Sequence, residues 1–215
     1  CMEGLRILSR TGSPSDPIRV AVFFSGSGTG LYALLSHQTK QPCNHKTVVC
    51  VTNKENAGGI VHAENHKVPI IQEFLNTDVE PEKRRLNHES RIVERLEKYD
   101  VELIVLSGYM RLLSKDFVNR FYPRIVNIHP SLLPAFPGAD AHGAVLKAGV
   151  KVSGCTVHLV DDGMDTGTIL AQRRVPVFET DERSQLAQRI QVEEHRLYPS
   201  VIDLICSGHR FDLDD

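Results

Sequence analysis

The sequence predicts an α/β fold: a three-layer, doubly wound, mostly parallel sheet with an antiparallel strand pair at its C-terminal side. Three observations predict it. Short apolar runs alternate with helix-like segments through the first 150 residues, the rhythm of strands covered on both faces. A glycine-rich turn follows the first main run, the position where doubly wound sheets bind ligands. Beyond residue 150 two longer strand-like runs follow each other with only a loop between them, which reads as a hairpin-like pair.

Element by element, "IRVAVFF" (18–24) is a buried-strand run, and "SGSGTG" leads into an apolar-periodic helix from about Leu31. "KTVVCVTN" (46–53) is the second strand, "AGGIVHAENH" a helix and "VPIIQ" (68–72) a short third strand. "EPEKRRLNHESRIVERLEKYD" reads as a long charged helix turning Leu86, Ile92, Val93 and Leu96 inward. "VELIVLSG" (101–108) is the fourth strand, almost wholly apolar, and "RIVNI" (124–128) runs as a strand into His129. "KVSGCTVHLV" and "GTILAQRRVPV" form the late pair. The last helix starts from a Thr180/Asp181 cap, and Pro199 is expected to kink or break it. Residues 1–17 read as a partly disordered leader and 18–215 as a single domain.

Composition narrows the function. Hydrophobic residues make up 41% and charged residues 24% of the 215, as in an ordinary globular chain. The formal net charge of −2 gives no basic footprint for nucleic acid or an anionic membrane. No apolar run is long enough to span a bilayer, and no signal-peptide core is visible. Five cysteines without a CxxC pair fit a reduced, cytoplasmic protein. His62 and His66 lie one helical turn apart but lack the HExxH order, so no metal site is expected. Small-molecule substrates, without nucleic acid or membrane partners, and a monomer or homodimer are the expectation.

Two places carry chemistry. "SGSGTGL" opens a helix after a strand, so its backbone N–H groups and the helix N-terminus favour an anion. Gly26, Gly28 and Gly30 do not satisfy GxGxxG, because the third glycine falls at Leu31, and no GK[ST] follows. A phosphate on a small metabolite fits better than a dinucleotide, against the plainer reading of a tight packing turn. Asn127 and His129, two apart on a strand, share one face. The amide offers a fixed donor to a developing oxyanion and the imidazole a proton or a charge near neutral pH. A carboxylate partner can come from Asp161, Asp162 or Asp165, and spacing alone does not choose. His142 and His158 are further candidates, the latter inside a strand.

Taken together, "NIHPSLLPAFPG", "GCTVHLVDDGMDTGTILAQ", "LSGYMRLLS", "FFSGSGTGL" and "VEEHRLYP" closely resemble the phosphoribosylglycinamide formyltransferases of the folate-dependent formyltransferase family, from about Arg19 to Asp212. The resemblance implies the formyltransferase fold and transfer of the formyl group of 10-formyltetrahydrofolate to glycinamide ribonucleotide in purine synthesis, without a metal. It implies a catalytic set of Asn127, His129 and Asp165. Gly28, Thr29, Gly30, Gln191 and Glu194 match ribonucleotide contacts. Arg85, Met110, Arg111, Leu112 and Leu113, with Asn127 and the loop Asp161, Asp162, Gly163, Met164 and Asp165, match the folate side. Where the family often has Asn, this chain has Gly30, and Asp140 occupies a varying position with no role assigned. Related enzymes hydrolyse formyltetrahydrofolate or formylate methionyl-tRNA; those carry extra domains that these 215 residues lack. A silent folate- or nucleotide-binding protein would not need the catalytic set.

Overall fold

The computed structural model describes residues 4–212. After a short strand β1 (Leu5–Arg6), the chain runs β2 (Ile18–Phe24), α1 (Thr29–Lys40), β3 (His45–Thr52), α2 (Ile60–Asn65), β4 (Ile70–Gln72) and α3 (Pro81–Leu96). It continues through β5 (Leu103–Leu106), α4 (Lys115–Phe121), β6 (Ile125–His129), α5 (Ala141–Ala148), β7 (Val152–Leu159) and β8 (Ile169–Pro176). It closes with α6 (Arg183–Cys206) and β9 (Arg210–Phe211). The main sheet has seven strands in the order β4-β3-β2-β5-β6-β7-β8. β4 to β6 are parallel, and β7 and β8 pair antiparallel. The predicted class is the observed one.

Alternation along β2 builds the layers. Ile18, Val20, Val22 and Phe24 enter a core shared with α1 and α6, while Ala21 and Phe23 enter a second core with α3 and α4. Each strand side chain therefore serves one layer or the other. The order reverses between β2 and β5, so the loops after these two strands diverge and leave a crevice at their C-terminal ends.

Four expectations need correction. Residues 4–17 are not a loose leader: β1 pairs antiparallel with β9, Ile7 and Leu8 are buried, and Arg10 pairs with Glu102. Residues 1–3 lie outside the described range. Leu86 faces solvent, at 48% exposure, because the inward stripe of α3 includes His88 and Glu89. His88 bonds the Glu73 carbonyl, and Glu89 accepts from the Ser114 backbone N–H and hydroxyl. These polar groups occupy the face that an apolar count assigned to Leu86. α6 is capped by Glu182 in a reciprocal pair with Gln185, whereas Asp181 pairs with Arg189. Pro199 does not break α6, which continues to Cys206. A proline in a helix costs about 3 kcal/mol; here Leu197, Tyr198, Val201 and Ile202 are all buried and hold both halves against the sheet.

Candidate active site

The crevice is a cleft of about 650 Å³, within the range for small-molecule sites. Its first wall is the glycine turn, where Gly26, Ser27, Gly28, Thr29 and Gly30 all line it. Gly28 precedes α1 with φ 70°, and a Cβ there would meet the Gly59 Cα at 2.4 Å, so conformation and packing both demand glycine. Among the described residues no side chain caps α1, so its first N–H groups are able to take an anion. Gln191 Nε2 on α6 donates to Thr29 Oγ1 at 2.8 Å, fixing that hydroxyl. A Cβ at Gly30 would lie 2.3 Å from Ser107 Oγ, so the hydroxyl of the next strand loop fills the space of the side chain this chain lacks.

The second wall follows β5. The Ser25 hydroxyl accepts from the Met110 backbone N–H at 2.8 Å and donates to Asn53 Oδ1 at 2.5 Å, tying the glycine turn to 108–113. Met110 and Leu112 are exposed at 71% and 54%, whereas Leu113 is buried in the core. Apolar surface thus faces the cleft mouth, and Leu113 has only backbone to offer a ligand.

β6 supplies the floor. Antiparallel pairing sets Asn127 opposite His158 and His129 opposite Thr156. Asn127 Nδ2 is 3.3 Å from His158 Nε2, and His158 Nδ1 donates to the Leu159 carbonyl. That bond leaves His158 Nε2 as the acceptor for Asn127 in the neutral ring. Burial pulls His158 below the usual imidazole range, against the opposing effect of Asp165. His129 Nε2 donates to the Phe136 carbonyl at 2.9 Å, and its Nδ1 lies 3.5 Å from Asp165 Oδ2. Asp165, with φ 55°, is fixed by the Gly138 N–H at 2.8 Å and sits 3.8 Å from His158 Nε2. The proline loop after His129 is pinned to β7 and β8. Thr156 Oγ1 donates to the Ser131 carbonyl and accepts from Leu133 N–H, and Gln172 Nε2 donates to the Leu133 carbonyl.

Of the expected site residues, Asn127, His129, Asp165, Gly28, Thr29, Gly30, Gln191, Glu194, Met110, Arg111, Leu112, Leu113, Asp161, Gly163 and Met164 converge on this cleft. Asp165 is the aspartate beside His129, while Asp161 accepts from Gly163 N–H and Thr166 Oγ1 to shape the loop. Two expected residues are elsewhere: Arg85 is exposed on α3 and Asp162 pairs with Lys115, and neither lines the cleft. Asp140 caps α5 through Gly143 N–H and pairs with Arg183. Sequence reasoning did not single out Ser107, Arg183 and His195 at the cleft; Ser107 and His195 lie inside "LSGYMRLLS" and "VEEHRLYP" without a chemical pattern of their own, and Arg183 lies in no motif. Glu194 makes no hydrogen bond or ion pair among the described residues, and burial pushes its carboxyl up to about 7.

An uncapped helix N-terminus at the switch point faces an amide and an imidazole backed by a carboxylate, an arrangement able to seat an anion and to donate to a developing oxyanion, as a group-transfer enzyme requires. Comparison with known proteins narrows this. The formyl transferase family profile matches residues 18–202, and the chain belongs to that family. It is 41% identical to the phosphoribosylglycinamide formyltransferase of Bacillus subtilis over 86% of this chain and 92% of that one. It is likewise 41% identical to the trifunctional purine biosynthetic protein adenosine-3 of Gallus gallus over 90% of this chain. There it spans only 19% of the relative's length. The crystal structure of glycinamide ribonucleotide transformylase 1 from Symbiobacterium toebii superposes with TM-score 0.83 at 39% identity, covering 92% and 95% of the two chains. The Brucella melitensis phosphoribosylglycinamide formyltransferase gives 0.82 at 38%, covering 91% and 99%. Among the described residues no helix is long and apolar enough to cross a membrane.

Proposed function

We propose that the protein transfers the formyl group of 10-formyltetrahydrofolate to the amine of N1-(5-phosphoribosyl)glycinamide, giving formylglycinamide ribonucleotide. The observation that carries this reading is one cleft with an uncapped helix N-terminus on one side and the Asn127–His129–Asp165 set on the other. A phosphate seats on Gly28, Thr29 and Gly30, with Gln191 holding the Thr29 hydroxyl in place. Glu194, unpaired among the described residues, accepts from a ribose hydroxyl or the amine. The pterin lies along 110–113, under the 161–165 loop.

The amine nitrogen attacks the formyl carbon, and the carbonyl electrons move onto oxygen. Asn127 has one amide N–H on His158 and a second left to donate to that oxyanion. With Nε2 committed to Phe136, the His129 nitrogen that faces the reacting carbon is Nδ1; charged, it presents an N–H there, and Asp165 balances the charge. Each such donor contributes about 3 kcal/mol of transition-state stabilisation. Collapse of the adduct breaks the bond to the folate nitrogen, which takes up the proton the amine loses, relayed by water. The test is loss of 10-formyltetrahydrofolate, followed spectroscopically with and without the ribonucleotide. Loss that requires the ribonucleotide supports the transferase. Equal loss without it overturns this reading in favour of hydrolysis, and no loss with folate bound favours a silent binding protein.

A further inference from the structure

At the opposite end of the sheet, where the parallel strands begin, a second polar cluster has no part in the cleft. His37 lies in the last turn of α1, Cys43 in the α1–β3 loop, His45 at the first residue of β3 and Asp203 on α6. One ligand atom from each of the four lies within 4.8 Å of all the others. His37 Nε2 is 2.9 Å from both Asp203 oxygens, His45 Nε2 is 2.7 Å from Oδ1, and Cys43 Sγ is 3.9 Å from Oδ1. Of the described cysteines, only Cys43 is not fully buried.

Hydrogen bonding assigns these groups different parts. Gln38 Oε1 accepts from the Thr47 backbone N–H and hydroxyl, which turns its Nε2 toward His45 Nδ1 at 2.8 Å. His45 Nδ1 is therefore an acceptor, and the ring proton is on Nε2, donated to Asp203. A ring in that tautomer orients the carboxylate and has no lone pair at Nε2 for an ion. His37 differs: its Nδ1 has no partner among the described residues, so the proton can reside there and free Nε2. His37 also lines an open surface pocket with Tyr32, Lys40 and Arg173, so its ring is reachable from solvent.

We propose that His37 Nε2, Cys43 Sγ and Asp203 form a three-ligand site for a divalent transition metal of the zinc class, with His45 holding the carboxylate and water completing the tetrahedron. Thiolate, imidazole and carboxylate together suit zinc better than the hard cations calcium or magnesium. Zinc bonds of about 2.0–2.3 Å set neighbouring donors roughly 3.3–3.8 Å apart, so the His37–Asp203 contact opens slightly and the thiol moves in. Binding displaces the Cys43 thiol proton, while the His37 ring proton moves from Nε2 to Nδ1. The ion ties the end of α1, the start of β3 and α6 together, at a distance from the chemistry.

The test uses the full chain stripped with a chelator, then titrated with Zn(II) by calorimetry and Co(II) by absorption. One ion per chain is expected, with a thiolate-to-cobalt charge-transfer band. Cys43→Ser abolishes the band, and both it and His37→Ala weaken zinc binding by about 100-fold or more, whereas His45→Gln weakens it by about 10-fold. Saturating zinc raises the melting temperature of the parent by about 5 °C and leaves Cys43→Ser unmoved. Absence of stoichiometric binding, or a cobalt band that survives Cys43→Ser, overturns the site and leaves a hydrogen-bonded cluster only.

Discussion

Two groupings of a carboxylate between two imidazoles stand at opposite ends of one sheet, and their distances differ in a consistent way. Asp203 meets His37 and His45 at 2.9 and 2.7 Å, full hydrogen-bond lengths. Asp165 stands off from His129 and His158 at 3.5 and 3.8 Å. The first carboxylate is held low by its histidine hydrogen bonds, which outweigh the burial that would raise it. The second is fixed by a backbone N–H from Gly138 and by a left-handed backbone, so it is positioned without being satisfied by its neighbours. A complete polar network stabilises the fold; an incomplete one, held rigid, leaves bonding capacity for a substrate.

The contrast is sharpest if the two histidines are removed in parallel. His129→Ala is expected to lower kcat by about 10³-fold, the loss of a charged donor at the oxyanion, with a melting temperature within a few degrees of the parent. His45→Ala should leave kcat near the parent value and cost about 2–3 kcal/mol of stability in chelator, because it removes a buried ring together with its hydrogen bonds to Gln38 and Asp203. Denaturant titration and steady-state kinetics on both proteins read this directly. A large kcat loss in His45→Ala would erase the distinction.

The carboxylates give the next test. Asp165→Asn keeps the shape but cannot balance an imidazolium, and kcat is expected to fall by about 10²-fold. Asp203→Asn should keep its turnover and lose about 1–2 kcal/mol. Equal stability losses in the two variants would show that Asp165 is a structural residue as well.

What the sequence disclosed follows the same division. Strand β2 was legible to the residue, because a run apolar except for Arg19 and followed by Ser25-Gly26 has one reading. So was the shared face of Asn127 and His129, since a strand alternates strictly. Three carboxylates in one loop were not separable by spacing; only folding shows that Gly138 N–H selects Asp165. The Asn127–His158 contact depends on the register between β6 and β7, which no local pattern encodes. The Asp203 cluster joins residues 166 positions apart, and none of them stands in a recognisable motif. Leu86 misled because apolar periodicity does not register a buried Glu89 whose two oxygens each accept a hydrogen bond from Ser114.

Glu194 supplies the finest test, since it is the cleft carboxyl with no partner among the described residues. Its carboxyl titrates near 7 in the folded protein against an ordinary value of 4.5. Between those values the native state holds a proton that the unfolded chain has lost. Stability therefore falls as pH rises from about 4.5 through 7, and the full cost is present above 7. Because the group borders an open cleft where water reaches it, that cost is taken as about 1 kcal/mol, well below the full shift. Glu194→Gln removes the titration. The variant should match the parent in melting temperature at pH 4.5, exceed it by a few degrees at pH 8, and show a raised KM for the ribonucleotide with the folate KM unchanged. A stability difference that is flat across this range would mean that Glu194 already has a partner in solution, and that the cleft holds no carboxylate in reserve for the amine.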